Sequence, residues 1–142
     1  MTGNVELLDY IYQNSEMGHN TIKQLLQMVD DVGFKHVLES QFKEYDKIFA
    51  LSQGKLNQLD KEAKGIKVMS KISTYIMINL NTLTDKSASH ISEMLIQGST
   101  MGIIDITKKL KEYKDADTDI INMANTLLEF EKNNIEELKK FL

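Results

Sequence analysis

The chain has no cysteine, no proline, no tryptophan and no arginine. Without cysteine there is no disulfide framework, no thiolate metal site and no cysteine nucleophile. Without proline, and with only 7 glycines in 142 residues, little interrupts a long helix. A net charge of −4 carried without arginine argues against nucleic-acid binding, which relies on basic patches and bidentate arginine contacts. No apolar run approaches the roughly 20 residues that a membrane span needs. The opening stretch, Met-Thr-Gly-Asn-Val-Glu-Leu-Leu-Asp, has neither the basic nor the apolar region of a signal peptide. A cytoplasmic setting is the expectation, in keeping with the missing thiols.

What is present suits one helical domain spanning residues 1–142. Hydrophobic residues make up 42% of the chain and charged residues 27%, enough for a core inside a solvated surface. Leu7, Leu8, Ile11, Ser15, Gly18, Ile22, Leu25, Leu26 and Val29 recur at helical spacing. Asn4 is the expected cap of this first helix, which should end near Asp31, with Gly33 as the left-handed residue beyond it. Phe34, Val37, Leu38, Gln41, Tyr45, Ile48, Leu51 and Leu59 carry a second stripe. The short connection makes helices one and two an antiparallel hairpin. Lys64-Gly65 should break the second helix, and Ile66 to Leu83 should form a third, roughly 27 Å long at about 1.5 Å per residue. A rod of that length can carry the chain from one end of a bundle to the other.

Ser87 is the best N-cap for the fourth helix, which runs to Tyr113. Its inward stripe changes from Ile91, Met94 and Leu95 to Gly98-Ser-Thr-Met-Gly102. Glycine inside a helix costs on the order of 1 kcal/mol against alanine, so two of them one turn apart indicate a steric requirement. Close helix approach, with Gly18 across from this face, is the expectation; an internal cavity that takes a ligand is the other reading. Asp117 should cap the last helix, whose core stripe is Ile120, Ile121, Ala124, Leu127, Leu128, Ile135, Leu138 and Phe141. A faint echo links the two halves: Met17-Gly18 precedes Ile22 and Leu26, and Met101-Gly102 precedes Ile106 and Leu110, at the same offsets.

This hairpin–crossover–hairpin order resembles the ferritin-like superfamily, and most of all small bacterial ferritin-like proteins, some of them spore-associated. The resemblance implies an all-α, ferritin-like antiparallel four-helix bundle with an additional crossover helix. It also implies a di-iron site built from a glutamate on each of two helices and Glu-x-x-His on each of the other two. That motif is largely missing. Opposite Glu16, the second helix offers Phe49, Ala50, Leu51, Ser52 and Gln53. On the fourth helix the expected acid position holds Gln97, Gly98, Ser99 or Thr100. The last helix offers Glu131-Lys-Asn-Asn134, where asparagine replaces the imidazole.

The expected function is therefore non-enzymatic: a structural or protein-interaction module that lacks the usual di-iron site and needs no cofactor. The Ile- and Met-rich crossover exposes more apolar surface than one bundle covers, so a homodimer or higher homo-oligomer is expected. The alternative is a metal-binding protein in which Glu16, His19 and Glu131 hold iron or manganese. Glu16-Met-Gly-His19 does share one helical face. His90-Ile-Ser-Glu93 has the same spacing reversed, but it lies in the first turn of its helix, where capping is the better reading. His36 is expected on the surface. The eight methionines read as core filler. Tyr45, beside Gln41 and Glu44, is the best candidate for a buried hydrogen-bond network.

Overall fold

The computed structural model describes residues 2–59 and 71–142. They form five α-helices, with no strand among the described residues. These are α1 (Thr2–Leu26), α2 (Val32–Gln58), α3 (Lys71–Asn81), α4 (Ala88–Glu112) and α5 (Thr118–Lys139). The predicted break at Lys64-Gly65, and the predicted start of the third helix at Ile66, lie outside the described residues. No helix among the described residues is long and apolar enough to cross a membrane.

The cross-helix contacts fix the directions. Tyr12 meets Phe49, Gly18 meets Tyr45 and His19 meets Phe42, so the register descends on α2 as it rises on α1 and the pair is antiparallel. On α5, Glu131 meets Tyr45 of α2 and Asp119 meets Lys55, which makes that pair antiparallel too. Tyr10 of α1 reaches Gly102 of α4, while Gly3 lies against Tyr113. The start of α1, the end of α2, the end of α4 and the start of α5 therefore share one end of the bundle. The start of α4 lies at the opposite end, so the connection from Leu59 to Ser87 must traverse the bundle's length. Its described helix, α3, sits on the groove between α1 and α4. There the Ser73 hydroxyl donates to the Met17 sulfur (3.6 Å) and the Tyr75 hydroxyl to Gln97 Oε1 (2.9 Å). Ile76 packs against Gly98.

The core is one cluster running the length of the four long helices. It includes Leu7, Leu8, Ile11, Leu25, Phe34, Leu38, Leu56, Ile91, Ile106, Ile120, Leu127 and Leu138, all removed from water. At about 25 cal/mol per Å² of apolar surface buried, such side chains each contribute roughly 1.5–3 kcal/mol against exposure. The expected stripes are largely these residues. Leu51 departs from its stripe: it faces solvent, and Ser52 and Leu56 continue the inward line instead.

Chain-end chemistry corrects three expectations. Helix α1 ends at Leu26 rather than near Asp31. Asp31 instead caps α2, its Oδ1 accepting from the Phe34 amide at 2.7 Å, which places Gly33 in the first turn of α2 rather than beyond α1. Asn4 lies inside α1 and caps nothing there. Its Oδ1 accepts from the Asp117 amide at 2.8 Å, tying the start of α1 to the start of α5. Asp117 occupies the N-cap of α5 without a side-chain cap bond. Ser87 caps α4 as expected, accepting from the His90 amide at 3.2 Å.

Candidate functional site

The middle of the bundle is polar. On α5 the inward positions run Ile120, Ala124, Leu127, Glu131, Asn134, Leu138, so a carboxylate and an amide occupy two successive core places in the stripe. On α2 the line runs Phe34, Leu38, Gln41, Tyr45, Ile48, Ser52, Leu56. On α1 Asn14 is buried, and on α4 Ser99 and Gly102 are. The four helices bring these side chains to one level.

Glu131 is the centre of this layer and is only 3% exposed. The Tyr45 hydroxyl donates to Glu131 Oε1 at 3.0 Å, a bond that links α2 to α5 through the core. The ring of Tyr45 stands edge-on to Phe130, with centroids 4.7 Å apart. Glu131 Oε2 has no hydrogen-bond partner among the described residues, and neither have the amide nitrogens of Gln41 and Asn134. Burial pushes the Glu131 carboxyl up to about 7, because a charge in a poorly solvated interior is costly; the Ser99 and Tyr45 hydroxyls, which favour the ionised form, pull against this. Burial likewise pushes the Tyr45 phenol well above its ordinary value, and the neighbouring Glu131 charge adds to the effect. Tyr10 behaves the same way, raised first by burial and then by Asp105. Its hydroxyl makes two long bonds among the described residues, to the Gly102 carbonyl and from Asn14 Nδ2, both at 3.4 Å.

Three glycines make room for the layer, in a way that differs from the expected helix-on-helix approach. Gly18 and Gly98 line the same small cavity, but neither is in contact with the other helix's glycine: a side chain packs against each. A Cβ at position 18 would lie 2.5 Å from the Tyr45 ring, so glycine there admits the tyrosine. Gly102 lets Asn14 and Glu131 approach the α4 backbone; a Cβ there would meet Asn14 Nδ2 at 3.3 Å and Glu131 Oε1 at 3.6 Å. Gly98 accommodates Ile76 of α3, at 3.1 Å from the same hypothetical atom. The sequence echo around Gly18 and Gly102 thus marks two positions with different occupants.

Beside Glu131 is a cavity of about 40 Å³, with room for roughly two or three waters. Its polar walls include Asn14, Thr21, Gln41 and Ser99; Met17, Ile22 and Leu95 are among the apolar ones, and Ile72 and Ile76 of α3 cover it. A charged cleft between α1, α3 and α4, lined by Asp105, Lys108, Lys109 and Glu112, shares Asn14, Met17 and Ile72 with the cavity.

The residues singled out for metal have separate surroundings. His19 stacks on Phe42 with centroids 4.5 Å apart; its Nε2 lies 3.5 Å from Asp46 Oδ1 and its Nδ1 3.1 Å from Asn20 Oδ1. Glu16 is next to Tyr12, whose phenol it helps raise after burial. Glu131 is engaged with Tyr45. Among the described residues no three of His, Cys, Asp and Glu come together as a metal ion would require. A dinuclear iron centre needs bridging carboxylates and imidazoles. The layer around Glu131 offers one carboxylate, a phenol, a hydroxyl and amides among the described residues, a donor set that does not fit paired iron. His36 is exposed, and His90 lies in the first turn of α4.

Tyr45 was legible as a buried hydrogen-bonding residue, but its partner is Glu131 on α5 rather than its chain neighbour Glu44. The signal for Glu131 was available: it lies four residues after Leu127 and seven before Leu138, on the apolar stripe itself.

Fold and site together define, among the described residues, five helices with the buried Glu131 carboxylate in the middle of the four long ones. No family model, curated protein or solved structure matches it.

Proposed function

We propose that this chain is a ferritin-like helical bundle working without a di-iron centre, as a non-enzymatic structural or protein-interaction module that pairs with a second copy of itself. The observation that carries this reading is the composition of the bundle's middle. Where the ferritin-like arrangement would concentrate carboxylates and imidazoles, the described residues supply Glu131 alone, and the Tyr45 ring fills the space that Gly18 leaves. Two antiparallel hairpins joined by a connection that traverses the bundle support the scaffold part of the reading.

Self-association rests on α3. Met77 and Ile78 are about half exposed there, as is Ile104 on α4. Lys71 is the one charged residue of Lys71–Asn81. A two-fold contact places each group beside its own copy's equivalent, so an uncharged apolar face suits a homodimer. A bacterial cytoplasm is part of the same reading, since a chain without thiols is indifferent to a reducing interior.

Sedimentation velocity over a rising concentration series tests the proposal. A dimer is expected, converted to monomer by joint substitution of Met77→Lys and Ile78→Lys. A wild-type chain that stays monomeric at high concentration removes the self-association. Elemental analysis showing about two irons per chain would remove the remainder.

A further inference from the structure

We propose that the groove between α2 and α5 receives the outer face of α4 from a second copy of the chain, a head-to-tail contact between an acidic groove and a basic helix. The groove has a volume of about 780 Å³ and is open to solvent. Half-buried Val37 of α2 and Phe130 of α5 give it an apolar strip, and Glu44, Glu129 and Glu137 line it with carboxylates. Glu129 and Glu137 each meet a lysine three residues on, Lys132 at 3.4 Å and Lys140 at 3.1 Å. Exposed pairs of this kind are worth little, and a carboxylate with two oxygens keeps room for a second cation.

The complementary surface is on α4. Ile104, Lys108 and Lys111 stand at i, i+4 and i+7, which puts them on one helical face, and all three are exposed. Neither lysine is in an ion pair among the described residues. An isoleucine 49% exposed at the head of a lysine stripe is an anchor pattern for a groove: the apolar side chain goes to the floor and the ammonium groups to the walls. In the α2–α5 groove that floor is Val37 and Phe130, and the walls are carboxylates.

Within one copy the two surfaces belong to helices packed in one core, so they can meet only between copies. Every copy presents both, in equal number and at equal concentration, which favours the chain itself over any other lysine-bearing helix. Opposite charges steer the approach and set the register, and salt screens the attraction. The join is heterologous: it continues from copy to copy or closes into a ring, whereas the two-fold α3 contact stops at two. It goes beyond that contact and does not rest on it.

Sedimentation of charge-swapped full chains tests this at about pH 8, where ordinary imidazoles carry no charge. One variant carries Lys108→Glu and Lys111→Glu, the other Glu129→Lys and Glu137→Lys. All four positions are exposed, so the core is untouched. Alone, each variant sets like charge against like and loses the contact. In an equimolar mixture the unaltered groove of the first meets the unaltered α4 of the second, and the two swapped surfaces match as well. Expected is a weight-average mass in the mixture about twofold or more above either variant alone, falling back as NaCl rises from about 50 mM to about 0.5 M. A mixture no heavier than its components overturns the proposal, as does a wild-type mass indifferent to the same rise in salt. The α3 contact is alike in all the samples, so its presence or absence does not decide the outcome.

Discussion

Replacing Glu131 by glutamine should make the protein more stable at high pH and leave it little changed at low pH. The carboxyl sits at about 7 in the folded chain against an ordinary 4.5. A group whose folded value lies above its unfolded one binds its proton more tightly when folded. Its contribution is therefore fully present below about pH 4.5 and is lost as pH rises through about 7. At about 1.4 kcal/mol per pH unit, the interval corresponds to about 3.5 kcal/mol at most. Glutamine keeps an oxygen to accept the Tyr45 hydroxyl and has no proton to lose, so it should not show this decline. Urea unfolding of wild type and Glu131→Gln, at intervals from about pH 5 to pH 8.5, measures the effect as a difference. Other carboxylates and histidines titrate equally in both proteins and cancel. The expected result is near coincidence at the acid end and a variant more stable by about 2–3 kcal/mol at the alkaline end. Parallel profiles across the range would refute the reasoning, since they would mean that Glu131 ionises in the folded chain as it does in water.

Tyr45→Phe deletes the donor to Glu131 Oε1 and should cost about 1–3 kcal/mol, with the larger loss above neutrality, where the stranded oxygen carries charge; calorimetry at an acid and an alkaline pH reads the difference. Gly18→Ala drives a methyl into the Tyr45 ring, which Phe130 and Glu131 hold in place, and should destabilise by about 1–3 kcal/mol in chemical denaturation despite the better helix propensity of alanine. Gly54→Ala is the counterpart on exposed α2 backbone, with nothing within 4 Å of the new Cβ, and should stabilise by up to about 1 kcal/mol.

The amino-acid pattern by itself determined the helices. Their stripes, the absence of proline and the Ser87 cap are local, and local chemistry decides them. The glycine-marked stretch of α4 and the buried role of Tyr45 were also legible, because each breaks a local rule and so signals a tertiary cause. Boundaries proved less secure where one side chain could serve either of two helices. Asp31 could close α1 or open α2, and only its bond to the Phe34 amide decides. Asn4 resembles a cap in the chain and acts as a tie to α5 in space. Glu131 could be placed on the core stripe by counting, but the reach of Tyr45 to it spans 86 residues of separation. So does the choice of which partner each glycine admits depend on how four helices slide against one another. Spacing along one helix reports which side chains share a face. The registry between helices is set by the packing of all their faces at once, and that registry places the Glu131 carboxylate against the Tyr45 hydroxyl and beside a cavity.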